Sequence, residues 1–100
     1  MDKYQVIISP RAYQNINDIY EYIAKDLFAT HSAMNLVDKL EKAFLSLETM
    51  PQRFSKRQVG AYANRTYRQL FVKNFTIIYR IDETEKKVFI IMVRYSKSNF

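Results

Sequence analysis

The apolar residues of this chain change their spacing halfway along, and that change limits the folds open to it. From Ala12 to Leu47 they recur every three or four residues. From Thr66 onward they fall into three short runs, parted first by Lys73-Asn74 and then by a polar loop over Asp82–Lys87. The first spacing belongs to helices with one apolar stripe, the second to strands joined by hairpins. One Gly and two Pro in 100 residues leave few flexible joints, so most of the chain has to be regular structure. A chain of this length makes one domain, spanning 1-100.

Tyr4–Ser9 reads as a first strand with Val6, Ile7 and Ile8 at its centre. Ser9-Pro10 is a helix start, with Ser as the cap and Pro where a missing N–H costs nothing. Ala12, Ile16, Ile19, Ile23 and Leu27 form the apolar face of that helix, widened by Tyr13, Tyr20 and Ala24. A break is expected at Ala29-Thr30-His31, with Thr30 or Ser32 capping a second helix. Ala33, Leu36, Val37, Leu40, Ala43, Phe44 and Leu47 would be its buried set, and Met50-Pro51 would end it. The two helices should pair as an antiparallel hairpin. Residues 52–65 read as a loop with room for a short strand. Strands follow over Thr66–Val72, Phe75–Asp82 and Val88–Tyr95. Ile77-Ile78 and the run from Val88 to Val93 are apolar at both parities, which predicts central strands or a second face covered by a partner. The expected fold class is α+β, in the order β-α-α-β-β-β: an N-terminal strand, then a two-helix hairpin packed on a mostly antiparallel sheet.

Charge is divided between the halves. Residues 1–48 hold five Lys/Arg against seven Asp/Glu, and residues 49–100 hold eleven against three. No acid occurs between Glu48 and Asp82, where Arg53, Lys56, Arg57, Arg65, Arg68, Lys73 and Arg80 all fall. A cationic half on a folded scaffold predicts a polyanion or an acidic protein segment as partner. The apolar share of 48% and aromatic share of 15% are too high for a disordered chain. The absence of Cys excludes disulfides and thiolate chemistry, and a lone His31 excludes a multi-histidine metal centre. No apolar run approaches the ~18 residues of a membrane span. The start has no signal-peptide pattern, so the expected location is the cytoplasm.

The residues that could bind or react sort by place. Arg53, Lys56, Arg57 and Arg65 lie in the loop region, Arg68 and Arg80 on neighbouring strands, and Arg94 on the last one. Guanidinium groups suit phosphate because they are planar, permanently charged and bidentate. The plainer reading of each is a solvated basic face, a reading weakened for the group by the missing acids. Tyr67 and Tyr95 could stack a base or move a proton, although a strand-end Tyr more often packs. His31 reads as a surface or capping residue, and Asp18, Glu21 and Asp26 as a solvated helix face.

Several stretches taken in order carry a likeness. They are Tyr4-Gln-Val-Ile-Ile-Ser-Pro-Arg-Ala, Ile19-Tyr-Glu-Tyr-Ile-Ala, Leu47-Glu-Thr-Met-Pro-Gln-Arg-Phe, the run from Tyr67 to Asp82, and Val88-Phe-Ile-Ile-Met-Val-Arg-Tyr. Together they make the chain resemble the RelE/ParE superfamily, the bacterial toxins of type II toxin–antitoxin systems, with the ParE-like branch favoured. The resemblance implies a helix pair on an antiparallel sheet. It also implies a cognate antitoxin with an acidic toxin-binding segment, and one of two activities: inhibition of DNA gyrase, or cleavage of mRNA in the ribosomal A site. Ribosome-dependent members usually place an arginine just after the aromatic that opens the second C-terminal strand. That aromatic matches Phe75, and the next residue here is Thr76. In the YoeB-like branch a His-Tyr pair ends the chain, and Ser96-Lys97 stands in its place.

The expected function is therefore a ParE-like growth inhibitor that acts on DNA gyrase, of the kind that serves plasmid stabilization. The alternatives are a ribosome-dependent mRNA endonuclease and a non-toxic basic binding module. Partner contacts would fall on Arg53, Lys56, Arg57, Arg65, Arg68, Lys73, Arg80 and Arg94. A nuclease would use Arg68, Arg80, Arg94, Tyr95 and Lys97, with the RNA 2′-hydroxyl attacking its own phosphate and no metal or other cofactor. These readings require the strand arginines to converge on one anion-sized patch.

Overall fold

The computed structural model describes residues 3–58, 63 and 66–97. Gly60, Asn64 and Arg65, and the tail from residue 98, lie outside the described residues. Strand β1 (Gln5–Ile8) leads into helix α1 (Pro10–Glu21), which continues through a π-helical turn over Tyr22–Asp26. Helix α2 (Thr30–Ser46) and a short 3₁₀ turn (Pro51–Arg53) follow. The chain then forms β2 (Tyr67–Val72), β3 (Phe75–Asp82) and β4 (Lys87–Tyr95). The sheet order is β1-β4-β3-β2. β2, β3 and β4 are antiparallel neighbours, while β1 runs parallel to β4. The expected α+β layout stands, with β3 and β4 central, the first of the two arrangements their continuous apolar runs allowed.

Local chemistry explains each junction. Ser9 sits in extended geometry, and its Oγ accepts from the Ala12 N–H at 3.1 Å, which caps α1. The same hydroxyl donates to the Ile91 carbonyl at 2.9 Å. That carbonyl is available because β4 carries an extra residue there: Ile78 pairs with Met92 but Tyr79 pairs with Ile90. β1 pairs with β4 only as far as Ile90. Beyond that point α1 takes over the edge, and Asn15 Oδ1 accepts from the Val93 N–H at 3.1 Å. A strand edge that would otherwise be open is closed by a helix side chain.

The link between the helices departs from the sequence reading. The chain breaks at Phe28, whose φ of 51° lies in the left-handed region. α2 starts at Thr30 with Ala29 at the cap position and no side-chain cap bond. Neither Thr30 nor Ser32 therefore caps the helix. The Ala29 N–H instead returns to the Ile23 carbonyl, so the turn is closed by backbone alone. The end of α2 matches expectation. The helix stops before the left-handed Met50 and the Pro51 turn, and Arg53 donates to the Thr49 and Ser46 carbonyls left over at its C-terminus.

One side of the sheet packs on the helices. Leu70, Ile77, Tyr79, Val88, Ile90 and Val93 meet Ala12, Leu36, Leu40, Phe44 and Leu47 in a continuous core. Fully burying each large aliphatic side chain contributes roughly 1.5–3 kcal/mol. The other parity is buried as well at its centre, at Ile78 and Met92. The α1 stripe is less buried than its periodicity suggests. Ala12 alone is fully buried, Ile16, Ile19 and Ile23 are half-buried, and Leu27 is exposed. A π-helical turn carries an extra residue per turn, so the stripe rotates off the sheet where that turn begins.

The hairpin between β3 and β4 is closed by Asp82, whose Oδ1 accepts from the Glu85 N–H. Outside β2, the Arg57 N–H reaches the Tyr67 carbonyl and the Gln69 N–H reaches the Ser55 carbonyl. Lys56 thereby bridges to Arg68, the short edge strand for which the loop reading left room.

Candidate functional site

The residues singled out in the sequence fall at two ends of the sheet. The first end lies where β4 finishes and β3 begins. An open groove of about 720 Å³ runs there between the α1 and π-helical segment on one side and the strands on the other. Ile19, Ile23, Leu27, Phe75 and Val93 give it apolar walls, and Asp18 and Arg94 bring charge to it. Tyr95 lines the groove and packs edge-to-face on Phe75, with centroids 5.8 Å apart. Thr76 is buried beside this end and bonds to the Ser96 hydroxyl at 2.8 Å. Lys97 follows in an exposed turn, and Lys73 sits in the β2–β3 turn with φ of 52°.

The second end lies where β2 begins and β3 finishes. A smaller cavity of about 260 Å³ is lined there by Lys56, Thr66, Arg68, Arg80, Ile81 and Glu83. Arg68 is held from behind: its Nη1 donates to the Phe54 carbonyl at 2.7 Å and the Gln52 carbonyl at 3.0 Å. The Arg80 guanidinium rests 4.7 Å from the centre of the Phe89 ring. Glu83 accepts from the Tyr4 hydroxyl at 2.6 Å and from the Gln52 amide at 2.9 Å. These two bonds hold its carboxyl below the usual carboxylate range, and the Lys86 and Arg68 charges add to the effect. Tyr79 lies under the same turn, fully buried, and donates to the Pro51 carbonyl at 2.6 Å. Burial pushes its hydroxyl up to about 12, against the opposing pull of Arg68 and Arg53.

The structure thus brings Lys56, Arg68 and Arg80 to one cavity and leaves Arg94, Tyr95, Lys97 and Lys73 at the far end. From Phe75 to Ile81 is six residue steps, about 20 Å of strand. The single convergent patch required by the sequence reading does not form. Arg53 belongs to neither cluster: it closes the α2 C-terminus and stacks on Phe54 at 4.9 Å. Arg57 is half-buried and donates to Gln69 Oε1. Arg65 falls outside the described residues. His31 is exposed in the first turn of α2.

Sequence reasoning missed three features. Tyr4, Gln52 and Glu83 bond across 79, 48 and 31 residues, and no local pattern signals such a union. The groove runs along the α1 stripe, which the spacing gives only as one continuous apolar face. Phe28, 91% exposed in a left-handed backbone, lies one residue ahead of the expected break at Ala29-Thr30-His31 and drew no reading of its own. Among the described residues no helix is long and apolar enough to cross a membrane, and no group of His, Cys, Asp or Glu is placed to hold a metal.

Comparison with solved structures gives the same fold at low identity. A chain of the chromosomal ParDE toxin–antitoxin system from P. aeruginosa superposes with a TM-score of 0.78 at 14% identity, over 95% of this chain and 98% of that one. The RelBE2 toxin–antitoxin complex of Mycobacterium tuberculosis gives 0.65 at 21% identity, over 95% and 93%. A free-state mutant of the E. coli toxin RelE gives 0.64 at 12%, over 95% and 85%. No curated protein matches the chain by sequence. The family model described as the ParE toxin of the type II toxin–antitoxin system parDE matches residues 6–100, which takes in every strand and helix but the first residue of β1. This chain therefore belongs to the ParE toxin family, within the RelE/ParE superfamily of toxin–antitoxin toxins.

Proposed function

We propose that this toxin arrests growth by binding DNA gyrase rather than by cutting RNA, and that its cognate antitoxin neutralises it by covering the groove beside α1. The convergence expected from the sequence fails, and a contact surface spread along the sheet, unlike a cleavage site, does not depend on it: what supports binding over cutting is the distance between Arg94–Tyr95 at one end of the sheet and Lys56, Arg68 and Arg80 at the other. Metal-free cleavage of RNA needs an acid, a base and phosphate-holding cations around one scissile bond, with reacting atoms roughly 3–3.5 Å apart. A cation set parted by the length of the sheet does not supply that. Thr76, standing where ribosome-dependent relatives carry an arginine, is buried and engaged with Ser96, which points the same way.

The groove supports the antitoxin reading. An apolar cleft bounded by exposed Tyr22 and Leu27 suits the apolar face of a bound segment, and the cationic half of the sheet suits its acidic side. Purified toxin should abolish supercoiling by gyrase and leave mRNA intact on programmed ribosomes. Codon-specific cuts with normal supercoiling would refute the proposal. Expression without growth arrest would instead favour a harmless binding module. Leu27→Asp should weaken the antitoxin complex without unfolding the free toxin, because Leu27 is already half in solvent.

A further inference from the structure

The tip of the helical hairpin carries an aromatic ring that neither the core nor the groove accounts for. We infer that Phe28 anchors this toxin to its protein target by entering an uncharged apolar pocket there. The inference rests on the reading that the toxin arrests growth by binding, and it names the part of the surface that makes the contact.

Four observations carry it. First, Phe28 is almost wholly exposed, and Leu27 before it is half in solvent. Two consecutive large apolar residues at a chain reversal add little to the core and leave an adhesive spot on the surface. Second, the position is one that phenylalanine fits poorly. Its φ of 51° lies in the left-handed region, where Gly or Asn is the ordinary choice because a larger side chain is crowded there. The Ala29 N–H bonds back to the Ile23 carbonyl at 3.0 Å and the Leu27 N–H to the Tyr22 carbonyl at 3.1 Å. A smaller residue would let the backbone make the same bonds, so the ring has no role in the fold. Backbone outliers of this kind cluster where proteins bind or switch.

Third, those two bonds fix the backbone on either side of Phe28, and a phenyl ring turns about only two torsions. Little freedom remains to be lost when a partner buries it. Fourth, charge selects the partner. The chain carries +6 overall, but its tip is not cationic. Lys25 is paired with Glu21 at 2.8 Å, and Asp26 adds a negative charge just ahead of Leu27. Nucleic acid and acidic segments are drawn to the cationic half of the chain and not to this end. The complement of an apolar ring in a neutral or weakly acidic setting is an apolar pocket on a folded protein, of the kind that takes an aromatic anchor. Leu27 lines the groove and Phe28 is the next residue, so an antitoxin segment lying in the groove stands against the tip. It keeps the target away by bulk and needs no contact with the ring.

Phe28→Asn tests the anchor, because Asn accepts the left-handed backbone and the free variant should fold at least as well as wild type. Growth arrest on expression, inhibition of supercoiling by purified gyrase, and affinity for the purified cognate antitoxin are measured for both proteins. The variant should need roughly 10-fold to 100-fold more toxin to inhibit gyrase, the loss that follows truncation of an aromatic anchor. It should fail to arrest growth at an expression level where wild type succeeds, and its antitoxin affinity should be unchanged. Phe28→Leu, which keeps an apolar group, should recover part of the loss. Leu45→Asn, which removes an exposed apolar group near the other end of α2, should cost no activity. Growth arrest is the arm that does not presume gyrase. Wild type that stops growth without touching supercoiling would refute gyrase as the target, and loss of arrest in Phe28→Asn would still support the anchor. Arrest and inhibition undiminished in Phe28→Asn would overturn the inference. So would an equal fall in antitoxin affinity, which places the ring in the antitoxin interface. A wild-type dimer in sedimentation that the substitution dissociates would also overturn it, by placing the ring between two copies of the toxin.

Discussion

Replacing Tyr79 by Phe isolates the bond that fastens the 3₁₀ turn to the sheet. The side chain is fully buried, and its hydroxyl donates to the Pro51 carbonyl at 2.6 Å. Phe keeps the ring and removes only the donor. The loss is one buried hydrogen bond, and the Pro51 carbonyl is left behind in a residue that is itself buried. A net bond contributes about 0.5–1.5 kcal/mol and an orphaned buried acceptor costs about 1–3 kcal/mol, so a destabilisation of ~1.5 kcal/mol is the working figure. Unfolding entropy near ~0.2 kcal/mol/K for a domain of this size converts it to a fall in Tm of about 7 °C. Differential scanning calorimetry at neutral pH measures this, with Tyr13→Phe as the control because Tyr13 is 61% exposed.

The same substitution makes a second, signed prediction in alkali. The folded-state value of Tyr79 is raised from 10.0 to about 12. A raised value means the folded state holds the proton more tightly. The associated stability is complete below 10 and is lost as pH rises through 12. The gap in Tm between wild type and Tyr79→Phe should therefore narrow steadily between pH 10 and 12. A variant within a degree of wild type at neutral pH, or a gap that stays constant through the alkaline range, would refute the reasoning.

Glu83 gives the opposite sign: its value is lowered by Tyr4 and Gln52, so its contribution is present at neutral pH and fades as pH falls below the ordinary carboxylate range. Glu83→Gln should be less stable than wild type at neutral pH and converge with it in acid, as read by thermal melts across that range. Ser9→Ala removes both the α1 cap and the bond to the Ile91 carbonyl, and urea unfolding should show a loss of about 1–2 kcal/mol with an unchanged m-value. Phe28→Asn should raise the urea midpoint slightly, because the ring is 91% exposed and Asn tolerates the left-handed backbone that costs Phe roughly 1 kcal/mol. An unchanged or lowered midpoint would mean that the ring packs in solution.

Legibility differed between elements for physical reasons. β3 is legible to its exact bounds, because its apolar run is closed at both ends by polar turns. The start of α1 was equally plain in Ser9-Pro10, where the capping chemistry is local. The α2 cap was misplaced because Thr30 and Ser32 are good capping residues that the left-handed Phe28 overrides. The stripe ending in Leu27 reads as one unbroken apolar face because a π-helical turn, which rotates that face, leaves no mark on residue spacing. The arginines were identified by type and missed in arrangement. Strand register decides which side chains share an end of the sheet, and register depends on pairing between residues far apart in sequence.

The order of elements, the helical and strand periods, the capping serine and the acid-free cationic stretch were all present in the sequence, since each depends on residues within a turn or two of one another. Only the tertiary structure decided that β1 returns beside β4, that Asn15 closes the edge of β4, and that Tyr4, Gln52 and Glu83 meet. It alone parted the cations into a groove end and a cavity end. A side chain's chemistry is a local property of the chain; its neighbours across the sheet are set by the packing of the whole.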